Sequence, residues 1–277
     1  MALPTPRTAA GRAALDALLH APERAAVAVD FDGTLAPIVA DPEQARAHPD
    51  AVPVLSRLAP RLRAVAVITG RPADAAVRYG GFAGAPGLDH LTVLGAYGAE
   101  RWDAASGEVR APGEPPGVAA ARAELPSLLT DLGAPPGTWT EDKGRAVAVH
   151  TRRAERPQAA FDLLREPLTA FAARHGLVIE PGRMVLELRP PGVDKGAALE
   201  GFLRETGAET VLYAGDDLGD LAAFDAVEHL RGEGVRGLLV CSGSDEVTEL
   251  AARADLVVDG PAGVVELLAG VAEGVEG

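Results

Sequence analysis

Short apolar runs recur along this chain, and each stops at a glycine or an acid. "AAVAVDF", "AVAVITG", "LTVLGAYG" and "TVLYAGDD" have the form of buried strands, as do "GLLVCSG" and "DLVVDG" nearer the end. Between them lie segments of helical spacing: "DAVPVLSRLAPRL", "RPADAAVRYG", "FDAVEHL", "DEVTELAARA" and "AGVVELLAGV". Continuous apolar strands that alternate with helices predict a parallel sheet covered on both faces, so the expected fold class is α/β with a Rossmann-like core.

The alternation breaks in the middle. From about residue 109 the Pro/Gly-rich "APGEPPG" reads as a hinge. It is followed by a helix ("VAAARAELPSLLTDL"), a strand ("GRAVAVHTR"), a helix ("QAAFDLLREPLTAFAARHG") and a strand pair ("LVIEPGRMVLELRP"). The expected organisation is therefore a core of residues 1–108 and 189–277, with an α+β insert over 109–188. Within the insert ten basic residues balance ten acidic ones, so the net charge of −14 resides entirely in the remainder.

That charge argues against a nucleic-acid binder, because no basic excess exists to meet phosphate backbones. No apolar run reaches membrane-spanning length, and the N-terminus reads as a short tail plus a helix. A single cysteine, Cys241, allows no intrachain disulfide. A cytoplasmic monomer is the expectation. Of the 26 basic residues only Lys143 and Lys195 are lysines, each between an aspartate and a glycine. Against so strong an arginine bias, a retained lysine marks a place that suits a compact ammonium.

The strand ends carry the chemistry. Asp30 and Asp32 stand two apart at the close of the first strand, so both project beyond its carboxyl end, where open α/β sheets bind ligands. Carboxylates that close repel unless a cation lies between them or one holds a proton, and Mg²⁺ resolves the conflict. "LYAGDDLGD" delivers Asp216, Asp217 and Asp220 at a second strand end. Thr69 and Gly70 close another strand, and Lys195 precedes a helix-like segment. A hydroxyl, free backbone N–H groups and a lysine suit the oxygens of a phosphate. No G-x-x-x-x-G-K-[ST] segment occurs, which excludes a nucleotide P-loop.

D-x-D-G-T-L, a strand-end threonine, a lysine and G-D-D-x-x-D, in that order, resemble the haloacid dehalogenase-type phosphatases. "DFDGTLAPIV", "ITGR", "GAYGAERW", "EDKGRAVAVHTR", "GRMVLELRPPGVDKGAAL", "GDDLGDLAAF" and "ADLVVDGPAGVVELL" are similar to segments of the trehalose-6-phosphate phosphatase family. The resemblance spans nearly the whole chain after residue 25. Tyr97 departs from it, in a segment that often carries histidine.

The resemblance implies a haloacid dehalogenase core with an inserted cap and a Mg²⁺-dependent phosphatase. Asp30 would be the nucleophile that forms an aspartyl-phosphate, Asp32 the general acid and base, and Thr69 and Lys195 the phosphoryl clamp. The metal would be held by the Asp30 carboxylate, the Asp32 carbonyl and Asp216, with Asp217 and Asp220 orienting groups around it. Gly70, Arg71, Glu141, Lys143, Arg183 and Glu187 would bind the substrate. A trehalose-6-phosphate synthase is implied as the functional partner. Sucrose phosphate and mannosyl-phosphoglycerate remain alternative substrates, and a non-catalytic sugar-phosphate sensor is the alternative of a different class. If "GRAVAVHTR" is one strand, His150 and Arg152 share a face, and Val185, Glu187 and Arg189 share another. Trp102 and Trp139 offer rings on which a sugar could stack, but in a chain with 4% aromatics they read as core or hinge packing.

Overall fold

The computed structural model of the protein describes residues 3–39, 41–113, 115–182, 184–243 and 248–276. The chain divides into two compact units, one of Met1–Ala111 with Asp194–Gly277 and one of Pro112–Val193. The expected insert ran from 109 to 188. The difference arises because Glu108–Arg110 pairs into the first unit's sheet, while Arg189 is bonded inside the second, to Glu180 and the Val193 carbonyl.

Among the described residues the first unit holds an eight-stranded sheet. Its strands, numbered along the chain, are β1 (Ala25–Val29), β2 (Ala64–Ile68), β3 (Leu91–Gly95), β4 (Glu100–Asp103), β5 (Glu108–Arg110), β10 (Thr210–Gly215), β11 (Arg236–Gly243) and β12 (Leu256–Asp259). They lie in the order β12-β11-β10-β1-β2-β3-β4-β5. The strands from β12 to β3 are parallel, as the apolar runs predict. The antiparallel hairpin β4–β5 was not expected: of its side chains only that of Trp102 is buried, so it has no apolar run.

Side chains of the central strands alternate between two faces. Val27, Val29, Val65 and Val67 pack with α1 (Ala9–His20), α2 (Ala51–Leu58), α3 (Ala73–Gly80) and α9 (Gly260–Glu276). Ala26, Ala28, Ala64 and Ala66 face α6 (Lys195–Thr206), α7 (Leu221–Gly232) and α8 (Thr248–Arg253). Alanine on this second face leaves room for α6, and glycine lets the helices meet: a Cβ at Gly196 would lie 2.3 Å from the Ala222 carbonyl oxygen. Asp194 caps α6, its Oδ1 accepting from the Ala197 amide at 2.8 Å.

The second unit has its own sheet and core. Strands β6 (Trp139–Asp142), β7 (Val147–His150), β8 (Val178–Gly182) and β9 (Val185–Arg189) form an antiparallel sheet ordered β6-β7-β9-β8. Val147, Val149, Leu186 and Leu188 pack against α4 (Pro116–Asp131) and α5 (Pro157–Arg174). The register pairs Trp139 with His150, Glu141 with Ala148, and Glu187 with both Ala148 and Glu180, which puts these residues on the opposite face. Strand β7 stops at His150, so Arg152 lies beyond it in a turn and does not share its strand face.

Candidate active site

Strand order decides where the acids meet. From β1 the chain adds β2 and β3 to one side, while β10 and its successors lie on the other, so the sheet's switch point falls between β1 and β10. Val29 pairs with Ala214 and with Val67. Asp30, Asp216 and Thr69 therefore leave the sheet at neighbouring strand ends. The Asp30 amide continues the ladder, donating to the Ala214 carbonyl at 2.8 Å.

One oxygen each from Asp30, Asp216 and Asp220 lie within 4.8 Å of one another, and all three residues are buried. A single ammonium joins two of them: Lys195 Nζ lies 2.8 Å from Asp30 Oδ1 and 2.8 Å from Asp220 Oδ1. Asp220 is fully engaged. Its Oδ1 also accepts from the Tyr213 hydroxyl at 2.6 Å, and its Oδ2 accepts from the amides of Asp216 and Asp217. Asp217 caps the turn that follows, accepting from the Gly219 amide at 2.9 Å.

Asp216 is different. Among the described residues its Oδ1 is buried with no hydrogen-bond partner, and Gly33 lets the backbone approach the carboxylate closely. Gly33 has a φ of 77°, and a Cβ there would lie 2.0 Å from Asp216 Oδ2. The loop carrying Gly33 is pinned by Ser242, whose hydroxyl donates to the Gly33 carbonyl at 2.6 Å.

Three buried acids and one lysine leave negative charge uncompensated. Burial raises the Asp30 carboxyl well above the usual carboxylate range, against the pull of Lys195. Asp216 is pushed up to about 10, first by burial and then by the charges of Asp30 and Asp220. Asp217 rises by burial as well. For Lys195, burial acts downward, but Asp220 and Asp30 outweigh it and raise the group, so it stays an ammonium. An unpartnered hard oxygen among crowded carboxylates fits a small divalent cation, which takes oxygen ligands and replaces the protons.

The two acids of the first motif part company. Asp32 turns to Arg71, whose Nε and Nη2 donate to its two oxygens at 2.6 and 2.7 Å. The guanidinium lies 5.8 Å from the Phe31 ring centroid and 5.2 Å from that of Tyr79. Thr69 is buried; its Oγ1 accepts from the Arg71 amide at 3.1 Å, and its carbonyl accepts from the Tyr97 amide at 2.9 Å. Gly70 admits the Tyr97 ring, since a Cβ there would lie 2.8 Å from Tyr97 Cζ.

Among the described residues of the second unit, the polar sheet face carries these acid–base pairs. Lys143 pairs with the buried Glu187, Arg189 with Glu180, and His150 Nε2 lies 2.7 Å from Glu141 Oε2. Among the described residues Glu187 Oε1 is buried without a hydrogen-bond partner. Arg183 lies outside the described residues.

Sequence reasoning passed over Tyr213, Ser242 and the pair of Trp139 with His150. Tyr213 sits inside an otherwise aliphatic strand and reads as core; its polar atom was the one signal. Ser242 reads as a strand end, and its target is a backbone carbonyl 209 residues away.

Residues 28–257 match the family described as Trehalose-phosphatase. The chain belongs to that family. It is 37% identical over 265 residues to the trehalose-phosphate phosphatase of Mycolicibacterium paratuberculosis, across 91% of this chain and 63% of that protein. The chain thus spans less than two thirds of that relative. The C-terminal domain of the C. albicans trehalose-6-phosphate phosphatase superposes with a TM-score of 0.76 at 21% identity, covering 99% of each chain. A haloacid dehalogenase-like hydrolase from Bacteroides thetaiotaomicron shares the fold at a TM-score of 0.55 and 16% identity, over 89% of this chain and 98% of the other.

Proposed function

We propose that this chain hydrolyses trehalose 6-phosphate to trehalose and phosphate through an aspartyl-phosphate at Asp30. The observation that carries the reading is the buried cluster in which Lys195 bridges Asp30 and Asp220 while Asp216 Oδ1 stays unpartnered.

Asp30 attacks phosphorus in line as the bond to the sugar oxygen breaks, and Asp32, with one oxygen released from the Arg71 fork to carry a proton, delivers it to that leaving oxygen. Asp32 then takes a proton from the water that attacks phosphorus, and the bond to Asp30 breaks to release phosphate. Lys195 neutralises the phosphoryl oxygens, with Asp220 fixing its position. Thr69 Oγ1 already accepts from the Arg71 amide, which leaves its O–H as the donor toward phosphate. Gly70 offers backbone without a side chain. Arg71, committed to Asp32, acts through that residue. The Asp30 carboxylate, the Asp32 carbonyl and Asp216 would hold Mg²⁺, which when bound would cancel the repulsion between nucleophile and phosphate. Asp217 belongs to the surrounding shell.

Sugar recognition is assigned to Glu141, Lys143, Glu187 and Arg183 of the second unit, acting as a specificity cap. Paired charges without net excess suit a neutral polyol, and the unpartnered Glu187 Oε1 awaits a hydroxyl donor. A monomeric cytoplasmic enzyme, downstream of a trehalose-6-phosphate synthase, completes the reading.

The test is phosphate release from trehalose 6-phosphate, sucrose 6-phosphate, mannosyl-phosphoglycerate and glucose 6-phosphate, with Mg²⁺ or EDTA. Preference for the trehalose ester, lost in EDTA and restored by Mg²⁺, is expected. Equal rates across the panel refute the sugar assignment, activity in EDTA refutes the metal, and no release from any ester refutes the enzyme.

A further inference from the structure

Glu141 and Glu187 are held very differently. Glu187 is buried beside Lys143, whereas the Glu141 side chain is 45% exposed at an edge strand. A carboxylate of that exposure loses rotamer entropy when it grips a ligand, and contacts that hold it beforehand lower that cost.

His150 supplies such a contact. Its Nε2 lies 2.7 Å from Glu141 Oε2, and because a carboxylate only accepts, Nε2 carries the proton. The imidazole is itself fixed: it stacks on Trp139 with centroids 4.5 Å apart and planes 8° from parallel. The Arg153 guanidinium lies 4.4 Å from the Trp139 ring centroid. Strand register makes the stack, because Trp139 and His150 are direct partners across β6 and β7. The chain of support runs Arg153, Trp139, His150, Glu141, all within the second unit.

We infer that His150 is a positioning residue that pre-orients Glu141 for a sugar hydroxyl, with Trp139 serving as the wall that aligns His150 and not as a sugar platform. The inference rests on the proposed role of Glu141 in binding the sugar.

The test compares E141A, H150F, H150Q and the H150F/E141A double variant on the full chain, measuring kcat and KM for trehalose 6-phosphate. Phenylalanine keeps the stack but removes the donor; glutamine places an N–H near the position of Nε2. Removing a charge-assisted hydrogen bond should raise KM by roughly tenfold in H150F, with the loss in KM and not in kcat. H150Q should recover most of it, and the double variant should match E141A. A purely structural histidine would lower kcat and thermal midpoint together, with no rescue by glutamine, and that result overturns the inference. So does a normal KM in H150F beside an impaired E141A, or additive losses in the double variant. A normal KM in E141A removes the premise, which refutes the binding role of Glu141 and the inference with it.

Discussion

Asp-Lys-Gly occurs twice, and the two copies are built differently. In 194–196 the aspartate is a helix cap and the glycine permits contact between helices, which sets Lys195 at the first position of α6 against two buried acids. In 142–144 Asp142 Oδ1 accepts from the Gly144 amide at 2.8 Å and Gly144 takes a φ of 74°, a hairpin turn that brings Lys143 to Glu187. Both lysines end against carboxylates, where a point charge fits more readily than a planar fork. Arg71 shows the reverse choice, since its fork matches both oxygens of Asp32. On the proposed activity, R71Q should slow trehalose 6-phosphate hydrolysis by about a hundredfold, the scale of misplaced general acid catalysis. Turnover of p-nitrophenyl phosphate should fall far less, because nitrophenolate leaves without a proton. Parallel losses on both esters would show that Arg71 merely holds the loop.

At the scale of elements, one buried acid joins parts far apart in the chain. Asp255 is fully buried before β12, accepting from Thr8 Oγ1, from Arg231 and from the Leu239 amide. Gly11 on α1 packs directly on it, since a Cβ there would lie 2.6 Å from Asp255 Cβ. D255A strands a largely buried guanidinium and an amide, and should cost about 3–5 kcal/mol, the scale of a broken buried pair. Urea unfolding should show a lower midpoint in D255A than in D255N, which keeps one acceptor; equal midpoints would remove the hydrogen bonds as the cause. The strands themselves were legible, because runs such as "AAVAV" are buried on both faces and need no partner to be recognised. The hairpin β4–β5 and strand β6 were not, because polar strands at the margin of a sheet resemble loops until their neighbours are in place.

For the molecule as a whole, charge and metal are linked. The second unit, Pro112–Val193, has ten basic and ten acidic residues, so the −14 belongs to the unit that carries the acid cluster. Among the described residues no helix is long and apolar enough to cross a membrane. Without a divalent cation, Asp216 titrates at about 10 in the folded chain, against an ordinary 3.8 unfolded. The folded state therefore holds a proton that the unfolded state has released, and stability falls as pH rises from about 4 towards 10. Thermal unfolding in EDTA should show the midpoint dropping from pH 6 to pH 9. Mg²⁺ should raise it, and more at pH 9 than at pH 6, because protons compete less for the carboxylates there. D216N should flatten the profile; an unchanged slope would exclude Asp216 as its source.

The sequence by itself determined the parallel core, the order of its acid-bearing strand ends and the family, because these depend on local period and on residues adjacent in the chain. Tertiary structure alone decided which acid meets which base. Asp30 and Asp32 are two residues apart, yet one turns to Lys195 and the other to Arg71. It also decided that Trp139 supports His150 and that Tyr213 reaches Asp220. Those outcomes depend on register and helix approach between distant segments, which spacing along the chain does not encode.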